Sequence, residues 1–379
     1  MKRVVILFLI LTLLLPAAAC GKKENDTKES EIPQMTDITE TEPDYYIPTT
    51  VTPAGKKDAF KLVGRAGIGN DGIHLDWTWA EAAFCGWFDG EIRADLDLAY
   101  SYQGDKGVGL LRVVVDEKWE DAKLITLEGD DTVLIDEVLA DVERGYHTVS
   151  LFKCSQAMSA GINVSQIRFT GTLDKAPGAR ERSILVIGDS ISCGAGAVDT
   201  GRAEAVSDDG WYSFGAVLGR ELDADVSVFA VSGWGIACGG NDPKALIPDI
   251  FGKTNHFRDE DEEWDFSADE PDVVIVSLGT NDYRFAGEGR TKVLIAAATG
   301  FLSTIRDTYP GAEIIWIYGQ MLNQYDKELE EMVNSFDDPH ISYYTVPLCV
   351  SGGFGHPDAA GHEEYAAFLA EKIEEKCGK

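Results

Sequence analysis

The sequence predicts two folded parts in tandem: an antiparallel β-sandwich, then a three-layer α/β/α domain on a five-stranded parallel sheet. Three observations predict this. Between Phe60 and Leu173, short apolar or alternating runs recur between Gly and Asp turns, with no long helical period. After Pro177-Gly178, near-continuous apolar runs of strand length alternate with helical stretches, the pattern of a parallel sheet covered on both faces. One of those runs, Ser183-Ile184-Leu185-Val186-Ile187, stops abruptly in Gly188-Asp189-Ser190. An α/β sheet delivers a side chain to the carboxyl edge of a buried strand in this way, and ligands usually sit there.

The chain begins with Lys2 and Arg3, an apolar run from Val4 to Leu15, and Pro16-Ala17-Ala18-Ala19-Cys20. A basic region, an apolar region and small residues before a cysteine read as an export signal over 1–20, too short for a transmembrane helix. The Ala-Ala-Cys ending resembles a bacterial lipobox, which would make Cys20 the lipidated first residue of a cell-surface lipoprotein. Ordinary signal cleavage and secretion is the alternative. Replacing Cys20 with serine should move the protein from the membrane fraction to the soluble fraction; continued membrane association would contradict the anchor. Residues 21–57 are rich in Lys, Glu, Thr, Asp and Pro and too poor in apolar residues to bury a core, so a disordered tether is expected.

The sandwich is expected over 58–178. Its strands are read from runs such as Gly109–Val115, Lys123–Leu127, His147–Phe152 and Gln166–Thr170. Gly67-Ile68-Gly69-Asn70-Asp71-Gly72 matches the spacing of a dinucleotide loop but lacks the βαβ setting, so it reads as a turn. Trp77, Trp79, Phe84, Trp87 and Phe88 read as core packing, with a sugar-stacking platform as the sharper alternative.

The α/β domain is expected over 179–379. Strands are read at Ser183–Ile187, Asp225–Val231, Asp272–Leu278, Glu313–Tyr318 and Ile341–Val346. Helices are read at Gly210–Leu222, Thr291–Thr308, Asp326–Asn334 and Pro357–Lys376, the last opening on proline. The acidic stretch Arg258–Asp272 reads as a solvated loop.

In a parallel sheet, the loops after successive strands share one edge. Ser190 then meets Ser232-Gly233-Trp234-Gly235, Gly279-Thr280-Asn281-Asp282, and His356 in Gly355-His356-Pro357. A lone serine is a weak nucleophile and needs a base and a site for the oxyanion. His356 is the candidate base. The Ser190 and Gly233 backbone N–H groups and the Asn281 amide are the candidate oxyanion donors. Trp234 could wall a sugar site or pack its own loop. His362 competes for the base role but lies inside the expected helix. Asp189 and Asp282 are expected to hold loops by accepting backbone N–H bonds.

These four blocks, in this order, resemble the SGNH (GDSL-type) hydrolase superfamily. A narrower resemblance is to carbohydrate esterase family 2. It is carried by Gly188–Gly194, Ser232–Gly235, Trp264-Asp265-Phe266 and Leu278–Asp282, with Val63-Gly64-Arg65 and Gly145–Val149 in the sandwich. The resemblance covers about residues 58–379 and implies a jelly-roll topology for the sandwich that precedes the hydrolase domain. It implies removal of O-acetyl groups from xylan- or mannan-type polysaccharide, with no metal or cofactor and an acetylated poly- or oligosaccharide as partner. The superfamily places an aspartate three residues before the histidine; here that residue is Gly353. Some family 2 members orient the histidine through a backbone carbonyl instead, so the resemblance implies a Ser190–His356 dyad. A lipase or thioesterase on the same fold, or a decayed glycan-binding lipoprotein, are the alternatives.

Composition narrows the partners. A formal charge of −32 opposes binding to nucleic acid and to anionic lipid through a basic face, leaving a lipid anchor as the expected membrane contact. The seven cysteines are widely spaced without a C-x-x-C pair, so no zinc site is expected. Cys193 and Cys238 lie on neighbouring strand-end loops, where a disulfide is conceivable. A monomer is expected.

Overall fold

The computed structural model describes residues 41–99, 107–129, 134–198, 208–268, 270–285 and 288–378. The expected export signal and Cys20 lie outside the described residues, as does most of the expected tether. Folded structure nevertheless begins earlier than Phe60: Pro48–Val51 is a strand paired antiparallel with Ile162–Leu173, Val51 opposite Ile167. Val51 enters the core, which supplies the burial that composition alone did not reveal.

The first part is a nine-stranded antiparallel sheet built around three long strands, Glu81–Leu98, Ile135–Lys153 and Ile162–Leu173. Asp89-Gly90 has the local chemistry of a turn, yet the strand continues through it. Gly90 at φ 78° instead absorbs a register shift between Phe88 and Gly90, and a second shift follows between Ile92 and Arg93. Such bulges bend a long strand, so one strand can contribute to both sides of a single core. Phe84, Phe88, Ile92, Leu111, Leu151, Val164 and Phe169 all join that core. The apparent dinucleotide loop is a hairpin, Gly67–Ile68 pairing with Ile73–Leu75. Trp77, Trp79, Phe84 and Phe88 are buried as packing, and Trp87 lies edge-on to Tyr146.

The second part is a five-stranded parallel sheet in the order Ala224–Ala230, Arg182–Gly188, Val273–Ser277, Glu313–Tyr318, Ile341–Thr345. The strand Arg182–Gly188 is flanked on one side by the next strand in sequence and on the other by the one after. It therefore lies at the switch point where chain connections diverge and a crevice opens. Its register places Gly188 opposite both Ala230 and Ser277, so three carboxyl ends finish level. Helices Phe214–Glu221, Glu288–Thr308, Asp326–Asn334 and Ala359–Cys377 complete the domain. The acidic stretch is not a loop throughout: Asp259–Glu263 pairs with Lys253–Asn255, and Lys253 Nζ meets Glu263 at 2.7 Å. Pairing with a lysine-bearing strand compensates for the poor strand propensity of five consecutive carboxylates.

The change of architecture near Gly178 is not a break in packing. The Trp77 ring of the sandwich lies tilted against that of Phe229 with centroids 4.5 Å apart, and its Nε1 donates to the Thr254 carbonyl at 2.8 Å. Arg65 lies 4.0 Å over the Phe229 ring, and Arg258 grips Asp76 through two bonds of 2.7 and 2.8 Å. Lys153, fully buried, donates to the Ser155 and Gln156 carbonyls at 2.7 and 3.1 Å. Burial pulls its ammonium down to about 7. A depressed lysine contributes stability that is present above its unfolded value of 10.5 and lost as pH falls through about 7. Thermal melts of Lys153→Met against the native chain should therefore favour the variant more at pH 6 than at pH 9; an equal difference at both would contradict the depressed ammonium.

Candidate active site

Ser190 stands two residues beyond Gly188 and is 7% exposed. Its Oγ lies 2.9 Å from His356 Nε2. The other ring nitrogen, Nδ1, lies 3.2 Å from the Gly353 carbonyl. A carbonyl oxygen only accepts, so Nδ1 must carry the hydrogen, and in the neutral ring Nε2 is left to accept from the Ser190 hydroxyl. A main-chain carbonyl thus stands where a carboxylate would complete a triad. Phe354 at φ 55° and Gly355 at φ 74° make the tight turn that aims this carbonyl back at the ring.

Two candidate oxyanion donors are available. Among the described residues, neither the Ser190 N–H nor the Gly233 N–H has a protein acceptor. Gly233 adopts φ 79°, a conformation glycine takes without strain. Asn281 is placed beside them but is engaged: its Nδ2 donates to the Trp234 carbonyl at 2.9 Å and to Asp189 Oδ2 at 3.2 Å. An amide has two hydrogens, so donation to a substrate oxygen requires Asn281 to release the longer bond, to Asp189.

The two aspartates hold loops. Asp282 accepts from the N–H groups of Ile236, Ala237 and Cys238 at 2.8 to 3.0 Å. Burial raises its carboxyl, and those three bonds oppose the rise. Asp189 accepts from Ile191 N–H at 3.1 Å and is fully buried. Burial raises its carboxyl to about 7, with the Asp282 charge adding to the effect.

The competing groups are placed elsewhere. His362 is buried, and its Nδ1 accepts from the Phe214 N–H at 3.2 Å, capping the helix Phe214–Glu221. Burial, and then the neighbouring His356, hold it down at about 3, so it remains a neutral cap. Asp358 is the N-cap of the last helix, accepting from Gly361 N–H at 2.9 Å. Cys193 and Cys238 are buried free thiols, so the conceivable disulfide does not form; burial pushes Cys193 up to about 12.

Trp234 stands edge-on to His256 with ring centroids 5.7 Å apart. Both line a cavity of about 400 Å³ with Lys244, Asp249, Ile250, Lys253 and Asp261. A larger cavity, about 810 Å³, lies between Glu288–Thr308 and Asp326–Asn334 and is lined by none of Ser190, Gly233, Asn281 and His356. Sequence reasoning missed Gly196 and Asp208. Gly196 presses against the Gly353 backbone, and a Cβ at Gly196 would meet the Gly353 oxygen at 2.3 Å. The only sequence trace of this contact is the small-residue run Gly194-Ala195-Gly196.

A serine hydroxyl held on an imidazole at the switch point of a parallel sheet is an arrangement that serine hydrolases use. Residues 186–379 match the GDSL-like Lipase/Acylhydrolase family, and the chain belongs to that family. Its α/β domain is accordingly of the carboxylic-ester-hydrolase class. The chain is 30% identical over 259 residues to cellulase/esterase CelE of Acetivibrio thermocellus, a match spanning 64% of this chain and 31% of that one. It thus covers about a third of that relative's length. It is 27% identical over 281 residues to an acetylxylan esterase / glucomannan deacetylase of Cellvibrio japonicus, over 73% of this chain and 75% of that one. The solved structure of a family two carbohydrate esterase from Clostridium thermocellum, in complex with cellohexaose, superposes with a TM-score of 0.75 at 24% identity. That match covers 84% of this chain and 99% of the other and concerns the fold.

Proposed function

We propose that the protein removes O-acetyl groups from xylan- or mannan-type polysaccharide, using Ser190 as nucleophile and His356 as base. The carrying observation is the 2.9 Å contact between Ser190 Oγ and His356 Nε2, with Nδ1 turned to the Gly353 carbonyl. The Cellvibrio japonicus relative named acetylxylan esterase / glucomannan deacetylase supports the substrate class.

Ser190 Oγ attacks the acetyl carbonyl carbon while its proton passes to His356 Nε2. The negative charge on the former carbonyl oxygen is met by the Ser190 and Gly233 N–H groups, and by Asn281 once it turns from Asp189. Collapse breaks the ester bond, and His356 returns the proton to the departing sugar oxygen, which leaves as a hydroxyl. Water then attacks the acetyl-serine, again giving its proton to His356. Collapse returns the His356 proton to Ser190 Oγ and releases acetic acid, which loses its proton to solvent as acetate. No step requires a metal or cofactor.

Trp234 is the proposed sugar-stacking face. Nitrophenyl esters of increasing chain length test the acyl class. Acetate should be preferred, and a preference for octanoate would sink the deacetylase reading. In the same assay Trp234→Ala should raise KM for acetylated xylan about 10-fold, about 1.4 kcal/mol. Nitrophenyl acetate, which offers no sugar ring, should be turned over nearly as before. We further propose export of the chain and anchoring at Cys20.

A further inference from the structure

We propose that the β-sandwich positions the base of the active site. A hydrogen-bonded chain through Gln156, Asp208 and Gly196 holds the carbonyl that orients His356. This inference rests on the Ser190–His356 reading given above.

The chain starts in the sandwich. Gln156 is 6% exposed, and its backbone carbonyl accepts from the buried Lys153 Nζ at 3.1 Å. Its side-chain amide donates to Asp208 Oδ2, across the boundary into the α/β domain. The other oxygen of Asp208 accepts the Gly196 N–H at 3.0 Å. The Gly196 carbonyl in turn accepts the Gly353 N–H at 2.9 Å, and the Gly353 carbonyl faces His356 Nδ1. One residue on, the Ala197 carbonyl accepts the N–H of Ala359, so the histidine loop is held on both sides of His356.

The same clamp is tied to the nucleophile. The Ser190 carbonyl accepts the Ala195 N–H at 3.0 Å, so one short run of turns carries Ser190 at its start and Gly196 at its end. Gly196 has φ +68°, and a Cβ there would meet Gly353 oxygen at 2.3 Å and its carbon and nitrogen at 3.0 Å. Only glycine allows this approach of two backbones.

Physical chemistry explains the need for such a clamp. An aspartate that orients a histidine is itself a charge and can rotate to follow the ring. A main-chain carbonyl can do neither, because its direction is set by the backbone that carries it. The site therefore depends on whatever fixes Gly353. Asp208 suits this role because a carboxylate accepts two N–H groups at once. An asparagine at 208 would set its own amide hydrogens against one of those donors. Gln156, Asp208 and Gly196 are thus positioning residues, not groups that meet substrate.

The test is Asp208→Asn, read by ¹⁵N NMR of the imidazole of His356 and by turnover of nitrophenyl acetate. In the native chain, the neutral ring should hold its hydrogen on Nδ1. Asp208→Asn should mix the two tautomers and lower kcat about 10-fold with KM nearly constant, the pattern of a lost interaction that acts in the transition state. If this variant does not fold, Gln156→Leu, changed on the sandwich side, carries the same expectation. Native His356 signals and native kcat in a folded variant would overturn the inference. So would a lowered melting temperature with unchanged His356 signals, which marks a merely structural contact. If the native chain cleaves no nitrophenyl acetate while Asp208→Asn still alters the His356 tautomer, the esterase reading falls and the positioning inference stands.

Discussion

Replacing Ser190 with alanine should lower ester hydrolysis by roughly 10⁴-fold or more, leaving only what oriented binding and the oxyanion donors supply. The covalent route needs an oxygen at this position, and a methyl group cannot form the acyl intermediate. The fold should survive, because among the described residues the side-chain bond that Ser190 gives up is the one to His356. Nitrophenyl acetate turnover, with circular dichroism as the control for folding, checks this. Activity on acetylated xylan that persists in Ser190→Ala would remove Ser190 from the mechanism. A fluorophosphonate probe should label the native serine and leave the variant unlabelled.

His356→Ala should cost nearly as much, again roughly 10⁴-fold, and the double variant Ser190→Ala/His356→Ala should be little worse than either single change. A nucleophile and its base act as one unit, so removing either disables the same step. The loss should fall on kcat, since the imidazole acts on the proton in flight and not on the bound sugar. Full additivity of the two changes would mean that they act in separate steps. By contrast, His362→Gln should retain activity, because His362 serves the helix at Phe214 and its Nδ1 already accepts a backbone N–H.

Much of the fold is legible in the sequence. Short apolar runs rich in β-branched residues at Ile184–Ile187, Val273–Val276 and Ile314–Ile317 read as buried strands, and the intervening helical stretches make the sheet parallel. The sandwich was legible as a class but not in detail. Asp89-Gly90 carries the local chemistry of a turn, yet the surrounding pairing makes it a bulge within an 18-residue strand. Likewise the acidic run Asp259–Glu263 has no propensity to be a strand; its partner Lys253–Asn255 makes it one.

The candidate site divides in the same way. Ser190, Gly233, Asn281 and His356 are visible in the sequence because each ends or follows a strand, and parallel topology sends all strand ends to one edge. The state of Asn281 was not visible. Its amide is engaged by Asp189 and by the Trp234 carbonyl, contacts that depend on how two loops pack.

By itself, the sequence determined the order of the two folded parts, the parallel sheet, and the residues gathered at its edge. These follow from periodicity and from residue type, which are local properties of the chain. Tertiary structure alone decided which nitrogen of His356 faces Ser190, that the carbonyl facing the other nitrogen is that of Gly353, and which cysteines stay unpaired. It also decided that Gln156 of the sandwich reaches, through Asp208 and Gly196, to the loop bearing His356. Those outcomes depend on distances between segments far apart in sequence, and backbone carbonyls and glycines carry much of the contact, with no side-chain pattern to announce it.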